Sequence, residues 1–256
     1  MSNEYSATSA SEPISWQTLK VKDSTIEAIK WLAILLMTID HINSYLILPI
    51  TGKPYELLFN MGRVAFPLFA LVIGYNLARP RTNKNERKAI LDALLRLTVF
   101  GAISMLPYYF ATGGRVLPLN IMYTLALGTA LIYSLRVAAD KESRLARYVI
   151  YFFTHLAFAA LAWLGEFSFY GVALIVTAWL LFRYSSAFAL LLTLTLIFLL
   201  QAVNGTYWAI AAIPIFIFGY FVEVKIPRIN KYAFYAYYPL HLGLIAAAVA
   251  LHNLYN

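Results

Sequence analysis

The stretch IEAIKWLAILLMTIDHINSYLIL, Ile26 to Leu48, decides how the rest of the chain is read. It is apolar and exceeds the about 20 residues that a helix needs to cross a bilayer. A plain anchor would carry leucine throughout, but the second half of this stretch holds Asp40, His41 and Asn43. A charged group at mid-bilayer costs about 2.5–3.5 kcal/mol on insertion scales, so this cluster needs a compensating reason. Lys30 and His41 stand eleven positions apart. On a helix that spacing brings them within roughly 20° of one another and about 16 Å apart along the axis. One face thus presents a cation at one membrane surface and an imidazole in the interior. A lone histidine in a membrane helix often only bonds a neighbouring helix, and a terminal lysine often only snorkels. With Asp40 adjacent and further polar residues at matching depth, a functional site is the stronger reading.

Composition agrees with a membrane protein. Of 256 residues 61% are hydrophobic and only 12% charged, which is unlike a soluble domain. The fold expected is an all-α polytopic helix bundle with about nine transmembrane helices, its amino terminus in the cytoplasm. Residues 1–25 read as a polar cytoplasmic tail, with Trp16 placed to touch the headgroups, and 26–251 as one transmembrane domain. The tail lacks the apolar core of a signal peptide. The net charge of +8 comes from short loops between apolar segments, so no nucleic-acid partner is expected. The absence of cysteine excludes disulfides and a thiolate nucleophile, and four scattered histidines do not suggest a metal site.

Apolar segments are expected at 26–48, 57–78, 89–110, 117–135, 148–164, 169–182, 187–203, 207–222 and 232–251. If the amino terminus is inside, the basic loops RPRTNKNERK (79–88), RVAADKESRLAR (136–147) and EVKIPRINK (223–231) all fall inside, and the outer loops keep only Lys53 and Arg115. That is the positive-inside bias of a bacterial inner (cytoplasmic) membrane protein.

Polar residues recur at one depth. Arg63 enters the second span opposite Asp40, and helices joined by a short turn are normally neighbours, so an Arg63–Asp40 pair is expected. Pro67 should bend that helix. In the last span FYAYYPLHL (234–242) places Tyr237 and Tyr238 on the face of His241. Asn120, Tyr123 and Glu166 are less specific candidates; His155 and His252 read as structural or interfacial. Asp92 and Arg96, four apart, partly neutralise one another.

IKWLAILLMTIDHIN (29–43), GRVAFPLFALVIGYNLAR (62–79), LNIMYTLALG (119–128), FYGVALI (169–175) and FYAYYPLHL (234–242) together resemble the TraX family of conjugative plasmids. The resemblance implies N-acetylation of the amino-terminal residue of conjugative pilin from acetyl-CoA. The basic residue and histidine of Lys30 to His41 are also similar to the signature of a wider superfamily of membrane acyltransferases. On this reading His41 is the general base, oriented by Asp40 or a backbone oxygen. Asn43, Arg63 and Tyr237 are the donor types available to a developing oxyanion, His241 assists, and Lys30 with Arg96 meets coenzyme A phosphates. The chemistry is consistent: a free α-amine has a pKa of about 7.7–8.0, and an imidazole of about 6.5 suits its deprotonation. Transfer to an envelope glycan or lipid, a non-catalytic pilin-assembly role and a proton-coupled transporter are the alternatives.

Overall fold

The computed structural model describes residues 20–227 and 230–255. Residues 1–19, which include Trp16, and Arg228 lie outside the described residues. The described residues form helices joined by short connections. Its helices are α1 (Asp23–Thr51), α2 (Glu56–Ala78), α3 (Asn83–Ala111), α4 (Ile121–Ala139), α5 (Arg144–Leu164), α6 (Ser168–Tyr184), α7 (Ala187–Asn204), α8 (Trp208–Phe221) and α9 (Lys231–Tyr255). Seven are long and apolar enough to cross a membrane by themselves, and α6 and α8 are shorter apolar helices.

Ion pairs show how the short helices run relative to the long ones. Arg79 pairs with Asp23 at 2.6 Å, Arg87 with Asp140 at 3.2 Å, and Lys22 with Glu223. Arg136 and Arg183 both reach the fully buried Glu86, at 3.1 and 3.4 Å. These residues flank alternate helix ends, so the ends of α2, α4, α6 and α8 gather at one end of the bundle, with the starts of α1 and α3. At the opposite end Leu119 N–H donates to Leu164 O at 2.7 Å and Glu166 N–H to Leu119 O at 3.2 Å, which ties the α3–α4 connection to the α5–α6 connection. Thus α6 runs from one end to the other, and nine passes account for the described residues. The basic end contains the loops that the charge pattern groups together.

Helices α1, α2, α6, α4, α3 and α9 close into a ring, with α6 packed against both α2 and α4. Small residues set that spacing, as expected where lipid removes the hydrophobic drive between helices. A Cβ on Gly74 would stand 2.7 Å from the Ala178 Cβ, so α2 and α6 touch nearly backbone to backbone. By contrast α5 packs on α4 and, near its end, on α6, and it buries no residue between its start and Leu161; Ser134 and Thr154 join α4 and α5 by a 2.5 Å hydrogen bond.

Two helices depart from regular geometry beside the polar cluster. In α1 the residues Ile42–Ile47, directly after His41, form a π turn, a wider coil that often marks functional sites. In α2 a turn at Arg63–Val64 separates Glu56–Gly62 from Ala65–Ala78. Pro67 explains it: proline has no N–H for the Arg63 carbonyl and its ring crowds that carbonyl. The expected bend is therefore a break, and Arg63 lies in it.

Candidate active site

A buried polar contact joins the first helix of the chain to the last. His41 Nδ1 and His241 Nε2 lie 2.7 Å apart, the rings nearly parallel at 5° and both buried. The direction of the hydrogen bonds follows from their far end. His241 Nδ1 is 2.9 Å from the Tyr237 carbonyl oxygen, which can only accept, so Nδ1 carries the hydrogen. Neutral His241 then presents a lone pair at Nε2, and His41 Nδ1 must donate to it. His41 is left with its lone pair on Nε2. The chain from the Tyr237 carbonyl through His241 thus sets the tautomer of His41, the arrangement a general base requires. Of the two orienting groups that the sequence leaves open, the backbone oxygen fills the role, acting through a second imidazole.

Asp40 has a different partner. Its carboxylate takes the Arg63 guanidinium, as the sequence leads one to expect, with both side chains largely buried. Arg63 also lies over the Phe59 ring at 4.4 Å. Gly62 makes this contact possible: a Cβ there would stand 2.2 Å from the Asp40 Cβ. Gly62→Ala is therefore expected to destabilise the detergent-solubilised protein by about 1–3 kcal/mol, the usual cost of overpacking, and to separate Arg63 from Asp40. Thermal unfolding measures it, and an unchanged midpoint would mean that the helices do not meet at this point.

The donors expected for an oxyanion are committed elsewhere. Asn43 Nδ2 donates to Tyr55 O at 3.1 Å and Asn43 Oδ1 accepts from Tyr55 N at 2.8 Å, so this buried amide clamps the turn after α1. Thr38 Oγ1 donates to Ile34 O at 2.8 Å, which obliges the Tyr237 hydroxyl, 2.8 Å away, to donate to Thr38; the Tyr237 ring meanwhile stacks on His241. The free hydroxyl belongs to the next residue. Tyr238 is 1% exposed and its OH has no hydrogen-bond partner. Its ring lies 6.0 Å from that of His41 and 5.4 Å from that of His241. Sequence spacing points to both tyrosines and cannot tell which one an adjacent helix occupies. Asn120, also fully buried, caps α4 through Met122 N at 3.1 Å and donates to Gly101 O at 3.0 Å.

A cavity of about 440 Å³ runs inside the ring of helices. At the basic end Lys30, Arg79, Arg81 and Arg96 line it, and at the other end Met37, Ile121, Met122 and Tyr238. Lys30 pairs with Glu27 at 2.6 Å and covers the Phe234 ring at 4.5 Å. Arg96 lies 5.5 Å from the Tyr235 ring centroid, and its Nε, like that of Arg79, is buried with no hydrogen-bond partner. These buried donors fit an anionic ligand. Asp23, Glu27 and Asp92 also line it. The cavity stops one turn of α1 short of His41, at Met37.

The family then follows. Residues 25–249 match the TraX protein family. The chain belongs to the TraX family. Within that family, Protein TraX of Escherichia coli is 40% identical over 85 residues, 33% of this chain and 30% of that relative. The chain thus aligns with less than a third of that relative's length. No solved structure matches it. The TraX match covers all nine helices up to residue 249, including both histidines, the Asp40–Arg63 pair and the cavity.

One group that the sequence only weakly marks stands out in the structure. Glu166 lies in the connection 165–167 between α5 and α6, pinned by the bonds to Leu119. Burial pushes its carboxyl up to about 7, against the pull of the Tyr108 hydroxyl, Arg63 and the Ile121 N–H. Nothing in the apolar periodicity of either flanking helix distinguishes it from a loop residue.

Proposed function

We propose that this chain is a membrane acetyltransferase that moves acetyl from acetyl-CoA to the amino-terminal amine of a conjugative pilin. The observation that carries the reading is the ordered imidazole pair beside a cavity whose far end is cationic. The acetyl-CoA phosphates would meet Lys30 and Arg96 at the basic end, with the thioester directed along the cavity toward Tyr238. Acetyl-CoA supplies an activated carbonyl. The His41 Nε2 lone pair takes a proton from the attacking amine, a nitrogen–carbon bond forms, the carbon–sulfur bond breaks, and the proton passes to the departing thiolate. His241 holds His41 in the right tautomer and spreads the imidazolium charge. Tyr238, the hydroxyl with no other partner, is the donor for the developing oxyanion, in place of Asn43 and Tyr237. The positive-inside bias supports a cytoplasmic basic end in the inner membrane, where coenzyme A is available. The pilin acceptor rests on the resemblance to the TraX proteins of F-type conjugative plasmids.

The test is the intact mass of pilin co-expressed with and without this chain. A single added acetyl group at the amino terminus, present with wild type and absent with His41→Ala, is the expected result. Pilin of unchanged mass together with tight association would favour a non-catalytic assembly role. A pH-driven solute flux in proteoliposomes without acetyl transfer would favour a transporter.

A further inference from the structure

The charges at the end opposite the basic loops do not balance. The polar cluster there contains two carboxyls, Asp40 and Glu166, and the guanidinium that acts on both, Arg63, is bound to Asp40. Among the described residues no Lys, Arg or His lies within ion-pair distance of Glu166. A carboxyl without a cation inside a helix bundle is costly to retain. The hydroxyl facing it is that of Tyr108 from α3, which donates to Pro118 O at 3.0 Å beside the Leu119 that holds Glu166, while Tyr45 from α1 and Tyr238 from α9 feel its charge. The Ile121 N–H at the start of α4 also acts on the carboxyl, and Ile121 and Tyr238 are the residues at which the cavity ends. The Tyr238 hydroxyl is buried, unpartnered and within electrostatic reach of Glu166. Glu166, held to Leu119 two residues before Ile121, therefore lies toward the end of the cavity away from the basic residues, while its own residue remains partly accessible.

We infer that Glu166 is the group that binds the acceptor, holding its amine as the ammonium before transfer. This rests on the acetyltransferase reading and deepens it. A substrate ammonium supplies the missing counter-charge, and the Tyr108 hydroxyl beside the carboxylate offers it a further acceptor. A sugar or lipid hydroxyl supplies no charge, and its binding would leave the carboxylate unpaired. The donor thus enters from the basic end and the amine from the other, and the two meet at Tyr238 and the imidazole pair.

The experiment measures binding apart from turnover. Two peptides resembling the pilin amino terminus are titrated against detergent-solubilised full-length protein. One has a free α-amine, and in the other hydrogen replaces that amine. Wild type is expected to bind the amine peptide at least tenfold more tightly, and Glu166→Gln to lose the preference while binding acetyl-CoA as wild type does. Glu166→Asp should keep part of it. A Glu166→Gln protein that retains the tenfold preference would overturn the inference. So would wild type that binds both peptides equally, a result that needs no variant to fold. If wild type prefers the amine peptide yet transfers no acetyl to it, the acetyltransferase reading fails and the amine site stands.

Discussion

His41→Ala is expected to lower acetyl transfer at least about a hundredfold, the usual contribution of a positioned acid–base group, while the protein still accumulates in the membrane. The imidazole is buried, and its Nδ1 bonds to His241 at 2.7 Å. The variant removes the proton acceptor without opening the ring of helices. Replacing the partner separates orientation from packing. His241→Gln keeps an oxygen near the Nε2 position that can accept from His41, whereas His241→Leu keeps volume only. Glutamine should therefore retain more activity than leucine, with the loss in kcat and little change in KM for acetyl-CoA. Equal activities in the two His241 variants would mean that this residue only fills space. A His41→Ala protein with more than a tenth of wild-type transfer would remove His41 from the proton path.

The second large effect concerns stability. Asp40 and Arg63 are 14% and 17% exposed at their side chains and pair directly. Truncating either alone leaves an uncompensated charge inside the bundle, at a cost of about 3–5 kcal/mol, whereas replacing both by apolar residues of similar volume should cost much less. Asp40→Leu, Arg63→Met and the double variant complete a thermodynamic cycle in detergent. A coupling of at least about 1 kcal/mol is expected for contacting groups. Additive losses would show that each residue is stabilised by something else. Because Arg63 sits in the break imposed by Pro67, its single loss should also raise the mobility of the 63–64 turn, measurable by amide hydrogen exchange.

Much of the architecture was legible in the residues. Nine apolar stretches, basic loops at alternate connections and a cluster of costly polar side chains follow from the pattern of apolar and charged residues. A bilayer forces each span to satisfy its own backbone and charges the chain for every buried polar group. The same economy made Asp40 and His41 conspicuous, and the short connection between α1 and α2 made an Asp40–Arg63 contact foreseeable. The break at Arg63–Val64 was legible in Pro67, whereas no residue in INSYLI, 42–47, announces the π turn.

What the tertiary structure decided was partnership. His41 and His241 are 200 residues apart, and helical periodicity fixes the face of each residue without naming the helix it meets. The choice between Tyr237 and Tyr238 depended on Thr38 occupying the first hydroxyl, a fact of the α1–α9 interface. Asn43 looked like a donor because its type is right, and only the path of the chain to Tyr55 shows its amide committed. Glu166 was least visible because a loop carboxylate in sequence is ordinarily solvated. Residues 164–166 must pair with Leu119 before that carboxyl becomes enclosed. The sequence by itself determined which residues are too costly to bury without a reason. The three-dimensional packing decided the reasons, because each depends on which donor, acceptor or charge a neighbouring helix brings within about 3 Å.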